Sequence, residues 1–185
     1  MHKLPSAHQS GISLVETIFT LAIVGILMSV SAPALGNLLH GTRARSARDA
    51  LMHSLAFARM SAVSTQRMVI ACPSRDQRAC ADGVEWQHGW IVFEDRNRNN
   101  RRDDDEPLLN VVRAQTGVAI ATTTGRKFVR YRPDGSASGT DLTYTLCDRR
   151  GPTAATAIVV SNPGRIRETR PDPAHIDATC ALPME

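Results

Sequence analysis

The sequence predicts an α+β chain: one long N-terminal helix laid against an antiparallel β-sheet head. Three observations predict it. An apolar run opens at Ile12 and lasts to about Val30, a stripe of small and apolar residues at helical spacing follows to about Thr65, and short β-type runs separated by turn residues fill the remainder. At 185 residues there is room for a single small globular domain after the apolar run, and none for a second core.

The first element is the apolar run. About 19 apolar residues are enough to cross a bilayer as a helix, and the preceding stretch lacks the A-x-A site of an ordinary secretory signal. One acid, Glu16, interrupts the run. A carboxylate in hydrocarbon costs about 2.5–3.5 kcal/mol even on mild insertion scales, so Glu16 calls for a specific partner that a plain signal anchor would not supply.

The second element continues the first. Ala44, Ala47, Leu51, Leu55, Ala58 and Ala62 recur every three or four residues, the pattern of one buried helical face. The spacing predicts one helix from Ile12 to about Thr65, broken or kinked near Pro33 and Gly36. Beyond it the expected strands are Met68–Cys72, Gly89–Phe93, Leu108–Val112, Val118–Ala121, Lys127–Arg132, Leu142–Leu146 and Ala157–Ser161. Cys72-Pro73, Pro133-Asp134-Gly135 and Pro163-Gly164 mark turns between them. No internal repeat is present. The layout is that of an antiparallel sheet, or a pair of sheets, packed on the helix.

Within this frame, Gly11-Ile12-Ser13-Leu14-Val15-Glu16-Thr17 resembles the type IV prepilin cleavage motif. The resemblance implies that a prepilin peptidase cuts after Gly11 and N-methylates Ile12. It also implies that Glu16 pairs with the terminal amine of a neighbouring pilin subunit during assembly, which is the partner its energetics require. Pro33 matches a position where many pilins kink, while isoleucine stands at position 12 where phenylalanine is commonest. The domains expected are a leader at 1–11, a transmembrane and filament-core half-helix at 12–41, and a head at 42–185 whose residues 42–65 are the amphipathic half of the helix.

The head resembles the GspH/FimT family of minor pilins and pseudopilins through three stretches. They are Cys72-Pro73 leading to Cys80, the run Trp86-Gln87-His88-Gly89-Trp90-Ile91-Val92-Phe93-Glu94-Asp95, and the run Val159-Val160-Ser161-Asn162-Pro163-Gly164-Arg165-Ile166-Arg167. The expected fold is therefore type IV pilin-like. The two tryptophans are expected to fill a small core and carry no activity.

Four cysteines, Cys72, Cys80, Cys147 and Cys180, all follow the apolar run, an even number in the part expected to be exported, which favours disulfides. Zinc fits poorly, because seven residues separate Cys72 from Cys80 where structural sites use C-x2-4-C pairs. Four cysteines allow three connectivities, which the sequence leaves open. The expected one joins Cys72 to Cys80, close in sequence, and Cys147 to Cys180, tying down the tail.

The charge balance is mildly basic, with pI near 9.2 and only Lys3 and Lys127 as lysines. Loss of the leader leaves 21 basic against 18 acidic residues, a charge that matters only if concentrated on one face. Lys3 precedes the span, whereas Arg43, Arg45 and Arg48 follow it, which by itself would place the C-terminal part inside. The cysteines and the leader motif place it outside: a single pass through the inner membrane with a periplasmic head, then a place in a surface filament.

Two loops carry candidate chemistry. Asp95 to Glu106 places oxygen side chains at positions 1, 3, 5, 9 and 12 of an EF-hand loop, but Asn100 replaces its glycine, four arginines oppose a cation and strands are expected on both flanks. Side-chain capping of a turn is the favoured reading, and no metal or other cofactor is expected. No nucleophile elbow, P-loop or HExxH is present and the histidines, among them His53 and His175, are scattered, so no enzyme is expected. The second loop is Gly164-Arg165-Ile166-Arg167, followed by Arg170, after the last expected strand. On extended chain Arg165 and Arg167 point to one side while Ile166 packs inward. Arg149 and Arg150 lie nearby in sequence, and Arg126, Lys127, Arg130 and Arg132 sit on an earlier strand. The motif resembles the DNA-binding motif of FimT-type minor pilins, which implies non-specific binding of double-stranded DNA in natural transformation. The alternative is a structural pseudopilin of a type II secretion system that binds no nucleic acid.

Overall fold

The computed structural model describes residues 13–184, so the expected cleavage site at Gly11 and Ile12 lies outside the described residues. Helix α1 spans Leu14–Thr65 and is unbroken through Pro33 and Gly36, which corrects the expected break. A proline removes one i to i−4 hydrogen bond, and here the helix continues across that loss. The chain divides into two compact units between Leu38 and Leu39. In the first, α1 exposes Leu14, Ile18, Phe19, Leu21, Ile26 and Met28, and an 18-residue window reaches a mean hydropathy of 2.2, long and apolar enough to cross a membrane.

The second unit holds eight strands in two antiparallel sheets. The strands are β1 (Met68–Pro73), β2 (Gly89–Asp95), β3 (Leu108–Arg113), β4 (Val118–Thr122), β5 (Val129–Tyr131), β6 (Leu142–Asp148), β7 (Thr156–Val160) and β8 (Ile166–Thr169). One sheet has the order β3-β2-β1-β5 and the other β4-β6-β7-β8. Seven strands were expected, and β8 is the eighth. The arginine motif, expected to follow the last strand, therefore runs into it. A short helix, α2 (Pro173–Cys180), was not expected; Asp172 caps it by accepting a hydrogen bond from the Ala174 N–H at 2.9 Å, and Pro173 starts it.

Alternation along the strands divides each sheet into an inner and an outer face. Inner residues Val69, Ala71, Trp90, Val92 and Tyr131 of the first sheet meet Ile120, Tyr144, Leu146, Ile158 and Val160 of the second. Ala47, Leu51, Leu55, Ala58 and Ala62 of α1 complete this core. Ala44, the first residue of the predicted stripe, is half-buried. Small residues at 47, 58 and 62 let the helix backbone approach the sheets, while Leu51 and Leu55 fill the gap between. Trp86 and Trp90 are fully buried, Trp86 making an edge-to-face contact with Tyr144 at 4.8 Å between ring centroids.

Each outer face carries a disulfide. On the first sheet Cys72 lies with Ile70, Ile91 and Phe93 in a second apolar cluster and bonds to Cys80. On the second, Cys147 pairs in register with Ala119 and bonds to Cys180 at the end of α2. Next to it, Asp148 is buried and accepts hydrogen bonds from the Arg150 guanidinium at 2.7–3.2 Å and from the Arg150 N–H at 2.8 Å. Burial opposes its ionisation, but these bonds together with the charges of Arg150 and His40 outweigh it, holding its carboxyl below the usual carboxylate value. A carboxyl with a depressed folded-state pKa adds stability above its unfolded value, about 3.9, and loses it as pH falls through the folded one. Asp148→Asn is therefore expected to flatten the fall in stability below about pH 4, measured by urea melts across that range. A variant that tracks the parent would remove Asp148 from the acid response.

Candidate nucleic-acid interface

The arginine motif begins in the turn between β7 and β8. The Gly164 N–H donates to the Ser161 carbonyl at 2.7 Å, and the Ser161 N–H donates to the Arg165 carbonyl at 3.0 Å. Gly164 has φ +76°, and a Cβ there would collide with the carbonyl oxygen of Gly135. Only glycine combines that conformation with so close an approach. The turn is seated on the loop between β5 and β6, where the Ala137 N–H donates to the Asn162 carbonyl at 2.9 Å and the Gly139 N–H to Asn162 Oδ1 at 3.1 Å. Arg59 of α1 ties both loops to the helix, its Nε donating to the Gly135 carbonyl at 3.0 Å and its Nη2 to that of Pro163 at 3.3 Å.

This support carries the motif into β8, an edge strand paired only with β7. Arg165, Arg167 and Arg170 are exposed, and Ile166 between the first two is half-buried against the main core. The register sets Arg167 opposite Val159 and Val159 opposite Thr143, so Arg167 stands on the outer face of the second sheet. Glu168 alternates to the other face, where Arg48 of α1 holds it at 3.1 Å while also pairing with Asp49 at 2.9 Å. None of the ion pairs among the described residues involves Arg165, Arg167 or Arg170. Their guanidinium groups keep all five donors for a ligand, in a fork that matches phosphate oxygens.

Beside Val159, a groove on this outer face is lined by Thr123, Arg126, Thr143, Ser161 and Asn162. Arg126 reaches it from the loop before β5, donating to the Gly139 carbonyl at 2.9 Å and pairing at 3.8 Å with Asp141, an acid that also lines the groove. The other basic residues singled out in the sequence are engaged elsewhere. Of the four expected on one strand only Arg130 lies in β5, in the first sheet, bonded to Asn100 at 2.6 Å. Lys127 pairs with Asp82 at 2.6 Å, Arg132 reaches the Ser138 carbonyl, Arg149 the Met184 carbonyl, and Arg150 holds Asp148.

The Asp95–Glu106 loop connects β2 to β3, so its flanks are strands. Asp95 accepts from the Asn99 and Asn100 N–H groups, and Glu106 from those of Arg96 and Asp103, at 2.7–3.1 Å. Asn97 and Asn99 both donate to Asp103. The oxygens at the EF-hand-like positions thus accept hydrogen bonds from within the loop itself. Among the described residues no group of three or more His, Cys, Asp or Glu is arranged to hold a metal. Glu16 is exposed in the first turn of α1.

The family model for the type II transport protein GspH matches residues 47–164, from the buried stripe of α1 to the glycine of the β7–β8 turn. The chain belongs to the GspH family. Its fold is also that of solved relatives. The type IV minor pilin FimU of Pseudomonas aeruginosa strain PAO1 superposes with a TM-score of 0.55 at 17% identity, over 68% of this chain and 87% of that one. The minor pseudopilin EpsH from the type 2 secretion system of Vibrio cholerae superposes with a TM-score of 0.50 at 10% identity, over 70% and 98%. No curated protein sequence matches the chain. The GspH-family chain described here thus has the type IV pilin-like fold seen in that minor pilin and that minor pseudopilin.

Proposed function

We propose that this GspH-family chain is a minor pilin of a type IV pilus that binds double-stranded DNA without sequence preference during natural transformation. In this reading prepilin peptidase removes residues 1–11 and methylates Ile12. Glu16 then pairs with a neighbouring subunit as the chain passes from the inner membrane into the surface filament. Arg165, Arg167 and Arg170 bind phosphate, and Gly164 sets the turn that presents them. The observation that carries the reading is a row of arginines free of acidic partners on a braced edge strand, with the one intervening acid turned away and neutralised. In this reading phosphate contacts dominate, and affinity falls steeply with salt.

The test is fluorescence anisotropy of duplex DNA with the head, whose core clusters lie wholly between Ala47 and Ile166. Arg165→Ala and Arg167→Ala are each expected to weaken binding equally across sequences and to lower the salt slope by about 0.9. The double variant should lose most affinity and keep the parental melting curve, since exposed substitutions shift stability within about 0.5 kcal/mol. The second reading, a structural pseudopilin, is favoured by the likeness to EpsH. It becomes the better one if the parent has no affinity for DNA at low salt.

A further inference from the structure

Beside the Cys72–Cys80 disulfide, on the outer face of the first sheet, lies a recess of about 460 Å³ on which three segments converge. Asn100, Arg101 and Arg102 reach it from the β2–β3 loop, Asp82 from the β1–β2 loop and Lys127 from the stretch before β5. Its floor is apolar: the disulfide and the half-buried Phe128 pack there on Ile70 and Ile91. The walls are cationic. Arg101 is exposed and appears in none of the ion pairs among the described residues. Arg102, its side chain 16% exposed, donates through Nη1 to the Arg78 carbonyl at 3.1 Å and stands 3.8 Å from the exposed Asp104, while its buried Nε has no acceptor among the described residues. Arg130 is placed alike, bonded through Nη1 to Asn100 with its own buried Nε unpartnered.

Three cations therefore line the recess against one acid, Asp82, which Lys127 holds at 2.6 Å. That pair is exposed, so a stronger anion displaces Asp82 at little cost. The recess meets the β8 site through two consecutive residues. Arg126 lines the groove on the outer face of the second sheet, and Lys127 lines the recess on the outer face of the first. Duplex DNA, stiff over about 150 base pairs, does not turn from one face to the other within that span, whereas a flexible single strand does. We propose that the recess holds a nucleotide of a single-stranded extension of the DNA bound at β8, its phosphate on Arg101 and Lys127 and its base against Phe128. The guanidinium fork suits the phosphate, and an aromatic floor accepts any base, since every base has a flat face. The inference rests on the DNA reading proposed above.

The test compares a blunt duplex with the same duplex carrying an overhang of about six thymidines, by fluorescence anisotropy on the full chain in nonionic detergent. The overhang is expected to tighten binding by the parent about tenfold and to steepen its salt dependence by about 0.7 for each phosphate held. The double variant Arg101→Gln, Lys127→Gln should lose this gain while binding the blunt duplex as the parent does, with an unchanged melting curve. Equal affinity of the parent for blunt and extended DNA overturns the recess, and so does a gain that survives in the double variant. A parent with no affinity for the blunt duplex at low salt overturns the reading of β8, and the inference with it.

Discussion

Gly164→Ala is expected to destabilise the head by about 3–4 kcal/mol, more than any single change at an exposed arginine. Two costs add. An L side chain in the left-handed region costs roughly 1–2 kcal/mol, and the new Cβ collides with a backbone carbonyl, which cannot rotate away as a side chain could, adding the roughly 1–3 kcal/mol of an overpacked site. Gly135→Ala offers the comparison. It has the same φ of +76°, but a Cβ there would meet only side-chain atoms, Val63 Cγ2 at 3.1 Å and Arg59 Nε at 3.3 Å, so about 1–2 kcal/mol is expected. Thermal melts of the two variants should differ accordingly, with the Tm of Gly164→Ala lower by about 10 °C. Its DNA affinity should fall as well, although both arginines remain, because the turn that aims them is displaced. Equal melts for Gly164→Ala and the parent would mean that the turn is not seated on the Gly135 carbonyl. The glycine of the motif is thus a conformational requirement, and the arginines after it are the contact residues.

Local pattern made much of this fold legible. The stripe from Ala47 to Ala62 is buried as its period predicts, and all seven expected strands are present, each within two residues of its expected ends. What escaped was either short or distant. β8 has four residues and one apolar side chain, too little alternation to stand out, and it exists because β7 offers an edge. α2 carried a readable start in Asp172-Pro173, yet at eight residues it could not persist alone without the disulfide at its end. The split into two sheets depends on β5 leaving its sequence neighbours to pair with β1, a choice no local pattern encodes. Within the site, the alternation of Arg165, Ile166 and Arg167 was readable. The brace beneath was not, since Arg59 reaches acceptors 76 and 104 residues away and resembles, in sequence, any polar residue on a helix face. The removal of Glu168 by Arg48 spans 120 residues and was equally hidden. The EF-hand-like spacing of Asp95 to Glu106 shows the reverse case, a local pattern fitting two chemistries, where the fold spends the oxygens on the loop's own N–H groups.

Removal of the second disulfide, by Cys147→Ser with Cys180→Ser, is expected to cost roughly 3–4 kcal/mol on the loop-entropy account, for a sequence separation of 33 residues. The same change at Cys72 and Cys80, separated by 8, should cost less, roughly 2–3 kcal/mol. The difference in structure is larger than the difference in energy. Cys147 sits on the outer face of the second sheet with Ala119, Thr145 and Ala157, all buried, and α2 is the element packed against β6 and β4 there. With one buried residue of its own, Thr179, α2 has little apolar surface with which to hold that place once the covalent tie is gone. Hydrogen exchange should therefore show α2 amides losing protection at once, followed by those of β4, while β8 stays protected through its pairing with β7 and the packing of Ile166. DNA binding by the reduced-loop variant should persist at temperatures well below its melt, because Arg165 and Arg167 are positioned by the Gly164 turn and not by the tail. Unchanged protection of α2 would show that packing alone secures the tail, and loss of DNA binding with an intact core would move part of the interface onto α2.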